Sequence, residues 1–265
     1  MSRPIVLAGF GNMGRALARG WLEAAIAPAA ITVVDPALAA REQAQAMGFM
    51  AVAEPAEAPA PIDVAVLAVK PTELDPLLLA LPPAQLYLSI AAGRRIESIQ
   101  ARVPAGAAVV RAMPNTPAAI GQGITGLCAG TGVGVADREA AAGLMAAVGA
   151  VEWLADEQNM DALTAVSGSG PAYVFLLIEC LTDAAVDAGL EPGLAQRLAI
   201  ATVRGAGAYA ASADADPATL RRQVTSPKGT TEAALAVLLE GDALKRLVRD
   251  AVRAAARRSR ELSAG

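Results

Sequence analysis

The sequence contains no histidine. That excludes a Ser-His-Asp hydrolase, a histidine acid–base pair and a histidine-ligated zinc site. Cysteine is scarce: Cys128 and Cys180 are the only two in 265 residues. They lie too far apart for a metal-ligand spacing and form no disulfide framework. Both are expected to be small, buried apolar side chains in a reducing compartment. Aromatic residues make up 3% and charged residues 18%, against 54% hydrophobic, which excludes a disordered chain. A core of Ala, Val and Leu suits closely packed helices and buried parallel strands. The net charge of −4 offers no electrostatic footprint for nucleic acid. Two stretches lack charge, Ala112–Ala136 and Ala162–Ile178. Pro114 and Pro117 break the first, and Ser167-Gly168-Ser169-Gly170-Pro171 interrupts the second, so neither is expected to span a membrane. The run from Met1 flows directly into a glycine turn, unlike a signal peptide. These features predict a soluble, cytoplasmic protein without a nucleic-acid or membrane partner.

What is present is an alternation. Apolar runs at Pro4–Gly9, Ala30–Asp35, Gly48–Val52, Ile62–Lys70, Leu86–Ala91 and Ala107–Met113 read as strands. Helix formers fill Asn12–Ala27, Pro36–Met47, Glu73–Leu81 and Arg95–Arg102. This pattern predicts βαβ units, hence a parallel sheet with helices on both faces. After Trp153 the chain turns helical. Tyr173–Ala188 is apolar nearly all round at its start and is expected to be buried from several directions. Glu191–Ala211 follows as a helix. In the last helix Leu244, Leu247, Val248, Ala251, Val252 and Ala255 share one face, and Arg246, Arg249, Arg253, Arg257 and Arg260 the other. The chain is expected to divide into residues 1–160 and 161–265. The apolar helices of the second part predict an oligomer in which they pack against another copy.

Gly9-Phe10-Gly11-Asn12-Met13-Gly14 matches G-x-G-x-x-G where a strand passes into a helix. Gly9 permits the tight turn, Gly11 lets the backbone approach a pyrophosphate, and Gly14 lets helix and strand lie close. The helix start offers free N–H groups and a positive dipole end to phosphate. Asp35 ends the second strand, 21 residues beyond Gly14. A carboxylate there accepts hydrogen bonds from ribose hydroxyls and repels a 2′-phosphate, which leans toward NAD(H). Arg41 is close enough in sequence to offset that charge. Asp35 also suits a helix N-cap.

Further motifs carry a resemblance. They are Ala68-Val69-Lys70-Pro71, Ser89-Ile90-Ala91-Ala92-Gly93, Arg111-Ala112-Met113-Pro114-Asn115-Thr116-Pro117, Val166–Tyr173 and Val224–Thr231. Together with the glycine turn, in this order and over nearly the whole chain, they resemble the pyrroline-5-carboxylate reductase family. The resemblance implies an α/β Rossmann-type doubly wound domain followed by an all-α dimerisation domain. It implies reduction of 1-pyrroline-5-carboxylate to L-proline, the last step of proline biosynthesis, with NADPH or NADH. It also implies a homodimer, and assembly of dimers into rings such as a decamer of five dimers.

The residues fit that chemistry. A protonated cyclic imine is electrophilic enough to accept hydride without a histidine relay, so the task is orientation of two rings and capture of a carboxylate. The amides of Gly229, Thr230 and Thr231, at a helix start, suit the carboxylate. By resemblance, the Thr231 hydroxyl hydrogen-bonds the imine nitrogen. The backbone of Ala68, Val69, Lys70 and Pro71 lines the nicotinamide, with Lys70 as a local charge or, less simply, an acid. Ala91, Ala92 and Gly93 let the cofactor approach. Asn115 offers polar contacts at the domain junction; Asp214, Gln223 and Glu179 are weaker candidates. Without histidine, Ser167 and Ser169 are not nucleophiles; Ser169 suits a helix cap. No metal is expected. Two positions depart from the family: Lys228 stands where many members have glycine, and Pro55 where a polar residue can meet the ribose. Other readings are a β-hydroxyacid dehydrogenase, an imine reductase with another substrate, or a non-catalytic dinucleotide-binding protein.

Overall fold

The computed structural model describes residues 4–264. Met1–Arg3 and Gly265, the outermost residues of the two expected domains, lie outside that range. The described chain forms two compact units: residues 4–168 joined by 255–264, and residues 169–254.

The first unit is built on eight strands. These are β1 (Ile5–Ala8), β2 (Ile31–Val34), β3 (Met50–Val52), β4 (Ile62–Leu67), β5 (Ala84–Ser89), β6 (Ala108–Met113), β7 (Gly123–Ala129) and β8 (Gly149–Trp153). Their order in the sheet is β3-β2-β1-β4-β5-β6-β7-β8. The first six are parallel, as expected; β7 runs antiparallel to β6 and parallel to β8. Buried β-branched runs such as Ile-Thr-Val-Val in β2 are covered on both faces and so lack polar alternation. Helices α1 (Asn12–Glu23), α2 (Leu38–Ala46), α3 (Leu74–Ala80), α4 (Ile96–Gln100) and α5 (Val135–Ala146) connect the strands. Fully buried Trp21 donates its indole N–H to Leu144 O at 2.8 Å, tying α1 to α5.

After β8 the chain is helical through α6 (Met160–Leu163), a π-helical turn at Thr164–Gly168, and α7 (Gly170–Asp187). Residues 160–168 pack on the sheet: Met160 and Ala165 are buried. A Cβ on Gly126 of β7 would sit 2.1 Å from Leu163 Cδ1. The division therefore falls at Gly168, eight residues beyond the expected position, and the end of the last helix returns to the first unit. Ser169, a bend at the N-cap position of α7, has αR backbone angles and makes no side-chain cap, contrary to expectation. Glu157–Asp187 is long and apolar enough, by length and composition, to cross a membrane. Within it the expected interruption appears as a bend at Ser169, between the π-turn and the start of α7, with Pro171 in the first turn of α7.

The second unit comprises α7, α8 (Pro192–Ser212), α9 (Pro217–Gln223), α10 (Thr230–Leu239) and the first turns of α11 (Ala243–Ala264). Apart from Ala195 and Ala199, which are buried, many of its apolar side chains are uncovered in the single chain. Phe175 is 57% exposed, Leu176 58% and Val237 70%. The α11 residues Leu244, Leu247 and Val248, on the apolar face of that helix, are exposed as well. The expected burial of α7 is thus absent from the monomer.

Candidate functional site

The carboxyl ends of β1, β4 and β5 lie side by side, with Ala8 in register with Leu67 and Leu67 with Ser89. Strand order reverses between β1 and β4, the position where open α/β sheets bind ligands. The three turns that leave these ends are Gly9–Gly14, Ala68–Pro71 and Ala91–Gly93. The first unit thus brings all three expected cofactor segments to one sheet edge.

Each glycine of the first turn meets a distinct demand. Gly9 has φ +96° and its N–H donates to Val34 O at 2.8 Å. A Cβ there would lie 2.6 Å from Ala68 O. A Cβ on Gly14 would lie 2.2 Å from Gly9 O, so α1 can approach β1 only without a side chain. A Cβ on Gly11 would meet nothing within 4 Å. Its openness therefore has no packing cause inside the chain. Gly11 is the N-cap of α1 and supplies no side-chain acceptor, and Arg15 N bonding to Gly11 O is the first intrahelical link. The amides of Asn12, Met13 and Gly14 stand at the open, positive end of the helix. Such a helix end suits a phosphate group, and the residues are compatible with a dinucleotide. Phe10 is buried in the core, so only its backbone can serve a ligand.

Asp35 sits half-buried beside this turn. Its Oδ2 accepts from Phe10 N at 2.7 Å and its Oδ1 from Ala37 N at 2.9 Å. The carboxylate thus shapes the loop, and each oxygen keeps a lone pair for a further donor. Arg41 donates to the carbonyls of Asp35 and Pro36 at 2.9 and 2.7 Å. Arg15, which the motif reading passed over, donates to Asn12 Oδ1 at 2.6 Å and Gln43 Oε1 at 2.9 Å. Its position three residues after Asn12 was the available signal. The end of β2 therefore carries one carboxylate with the Arg41 guanidinium on its backbone, while the Arg15 guanidinium bridges α1 and α2. Pro55 opens a short 3₁₀ turn whose Glu57 carboxylate accepts from Ala53 N and Glu54 N.

Lys70 is exposed at the head of a 3₁₀ turn at Pro71–Glu73, and its carbonyl accepts from Glu73 N at 2.9 Å. Gly93 has φ +75°, and a Cβ there would lie 2.9 Å from Leu262 O. Asn115 is buried; its Oδ1 accepts from Ile124 N at 2.9 Å and its amide donates to Ser167 O at 3.2 Å. It ties β7 to the π-turn, so both ends of its amide are in structural use. Cys128 is buried as expected, and burial, followed by the nearby Glu157 charge, pushes its thiol up, consistent with an unreactive side chain; Cys180, on the uncovered α7, is exposed, contrary to expectation.

In the second unit Gly229 caps α10 without a side-chain acceptor. A Cβ there would lie 2.3 Å from Ser226 Oγ. The Gly229 amide, expected to be free, donates to Ser226 O at 3.0 Å because the chain turns tightly before the helix. Ala233 N bonding to Gly229 O opens the helical ladder, so the amides of Thr230, Thr231 and Glu232 are at its open end. Thr231 is half-buried there and Thr230 exposed. Lys228 adopts φ +60°, and its N–H donates to Glu232 Oε2 at 2.7 Å. The described residues contain no group of three or more ligands suited to a metal ion.

Residues 157–262 match the family model described as pyrroline-5-carboxylate reductase dimerisation, and residues 4–93 the one described as NADP oxidoreductase, coenzyme F420-dependent. A pyrroline-5-carboxylate reductase of Pseudomonas aeruginosa is 49% identical over 68% of this chain and 65% of its own length. The match thus spans just under two thirds of that curated relative. The solved pyrroline-5-carboxylate reductase of Coxiella burnetii is 35% identical, with a TM-score of 0.93 over 99% of both chains. The Plasmodium falciparum pyrroline carboxylate reductase, solved with NADP bound, is 29% identical with a TM-score of 0.85 over 98% of both. The likeness to the Coxiella burnetii reductase runs over the full length of both chains at 35% identity, and this chain belongs to the pyrroline-5-carboxylate reductase family.

Proposed function

We propose that this chain reduces 1-pyrroline-5-carboxylate to L-proline, with NADPH or NADH as hydride donor. The observation that carries the reading is the end-to-end match to a reductase fold with both anion-binding helix starts, α1 and α10, left without side-chain caps. A bound dihydronicotinamide supplies the hydride. The chain's own part is to bind and orient. The α1 amides of Asn12, Met13 and Gly14 hold the pyrophosphate, and Gly11 leaves the space for it. Asp35, Arg15 and Arg41 surround the adenosine ribose. The first repels a 2′-phosphate and the other two attract it, which supports use of either coenzyme. The backbones of Ala68–Pro71 and Ala91–Gly93 line the nicotinamide.

The substrate is bound as its iminium. Its carboxylate takes the open amides of Thr230 and Thr231, with Gly229 needed for the tight turn rather than as a donor. The Thr231 hydroxyl hydrogen-bonds the ring nitrogen. Hydride adds to the iminium carbon, the C=N π pair becomes the nitrogen lone pair, and the secondary amine of proline results. No side-chain base is consumed, in keeping with the lack of histidine. The exposed apolar side chains of α7, α10 and α11 support a homodimer, and a decamer of five dimers is the larger assembly proposed. The proposed setting is the cytoplasm, with no membrane or nucleic-acid partner.

The test is oxidation of NADPH and NADH by the purified chain with pyrroline-5-carboxylate, with proline identified as product. Thr231→Val is expected to lower turnover more than coenzyme affinity. An equal loss of both would remove Thr231 from the imine.

A further inference from the structure

We infer that Asp75 is a positioning residue for hydride transfer, clamping together the two turns that line the nicotinamide. The inference rests on the proposed reductase reading. Asp75 lies in the first turn of α3, four residues after Pro71. Its Oδ1 accepts from Arg94, the residue after Gly93, and from Arg102 Nε at 2.9 Å. One carboxylate oxygen thus joins the turn leaving β4 to the turn leaving β5. Both turns open on a cleft of about 650 Å³ lined by Pro71, Thr72, Ala92, Gly93, Arg94 and Leu262.

The arrangement depends on this one carboxylate. Arg94 Nε is buried without a hydrogen-bond partner among the described residues. Arg102 has one further acceptor, Ser98 O at 2.9 Å, on its own side of the cleft. Removing the Asp75 charge leaves two guanidinium groups facing each other with no negative charge between them, and they repel. Gly93 is backed by the Leu262 carbonyl and cannot give way in that direction. The α3 turn, with Pro71 exposed at its head, therefore moves instead. A shift of this kind changes the seat of the nicotinamide while leaving the α1 amides in place. An ordinary surface ion pair of this exposure would show no such selective effect.

The test compares wild-type chain with Asp75→Asn, Asp75→Glu and Arg94→Gln. The readouts are kcat, the isotope effect with coenzyme deuterated at the transferred hydrogen, and the affinity of ADP-ribose, which lacks the nicotinamide. Asp75→Asn is expected to lower kcat by about 10- to 100-fold. It should raise the isotope effect and leave ADP-ribose binding unchanged. Asp75→Glu should recover part of the loss. Should Asp75→Asn fail to fold, Arg94→Gln is expected to give the same signature. An unchanged kcat and isotope effect in a folded variant would overturn the inference. So would a parallel loss of kcat and ADP-ribose affinity. Failure of the wild-type chain to reduce pyrroline-5-carboxylate would instead overturn the reading on which it rests.

Discussion

Gly11→Ala separates a glycine kept for a ligand from one kept for folding. The new Cβ meets no atom within 4 Å, and Gly11 has φ −71° and ψ −165°, which alanine adopts freely. Folding therefore loses little. The weaker N-cap costs about 0.5–1 kcal/mol, and the reduced freedom of the unfolded chain returns about 0.4–1 kcal/mol. The net change in stability should lie within about 0.5 kcal/mol of zero. The coenzyme fares differently, because the methyl group occupies the path by which a pyrophosphate reaches the α1 amides. Losing one charge-assisted hydrogen bond to phosphate costs about 1.5–3 kcal/mol, or about 10- to 150-fold in affinity. Gly14→Ala is the contrast: its Cβ lies 2.2 Å from Gly9 O, so the backbone must shift and stability must fall. Thermal unfolding and titration of NADPH fluorescence measure the two quantities on both variants. Gly11→Ala that binds NADPH as tightly as wild type, or that unfolds as early as Gly14→Ala, would refute the assignment.

Asp35→Asn removes a negative charge at the ribose while keeping an acceptor, and should raise the NADPH-to-NADH ratio of kcat/KM about tenfold, worth ~1.4 kcal/mol; an unchanged ratio would take Asp35 out of the ribose site. Lys228→Gly relieves a side chain at φ +60° and should raise stability by about 0.5–1 kcal/mol in denaturant titration; a lower midpoint would mean that the Lys228 side chain has a favourable role there. The Glu191 carboxyl is held below its ordinary 4.5 by N–H bonds from Gly193 and Leu194, and Asp216 below 3.8 by Thr219 through its hydroxyl and then its amide. Both helix caps are therefore fully stabilising above about pH 4.5 and lose that contribution as pH falls through the lowered values. Acid titration of helicity should show Glu191→Gln and Asp216→Asn flattening the loss, and a slope unaltered by either change would contradict this.

The parallel core was legible because buried strands write themselves as β-branched runs such as Ile31–Val34, and the glycine turn because its spacing encodes three separate steric demands. Strands β7 and β8 escaped notice. The β7 run Gly-Ile-Thr-Gly-Leu-Cys-Ala is rich in glycine because Leu163 packs where a Gly126 side chain would stand. That reason is tertiary and leaves no periodicity. The α6–α7 passage was legible in part. Ser-Gly-Ser-Gly-Pro reads as a helix break, and the chain bends at Ser169 before Pro171 enters the first turn of α7, but the π-turn before it, held by the Asn115 bond to Ser167 O, leaves no signature in the sequence. At α10 the turn was legible but its hydrogen bonding was not, since sequence gives no sign that Ser226 O takes the Gly229 amide.

The two uncapped helix starts differ in a way that bears on their ligands. The first turn of α1 has no acidic side chain, whereas α10 carries Glu232 in its first turn and Lys228 just before its cap. A doubly charged pyrophosphate needs every partial positive charge the α1 dipole offers, and a nearby carboxylate would oppose it. A single carboxylate bound at α10 gains less from the dipole. Glu232 is turned back onto Lys228 N, so its charge is partly spent on the turn that presents Thr230 and Thr231. On this argument Glu232→Gln should loosen that turn and weaken capture of a carboxylate, even though it removes a like charge. A proline titration in which Glu232→Gln binds more tightly than wild type would show that repulsion outweighs the turn.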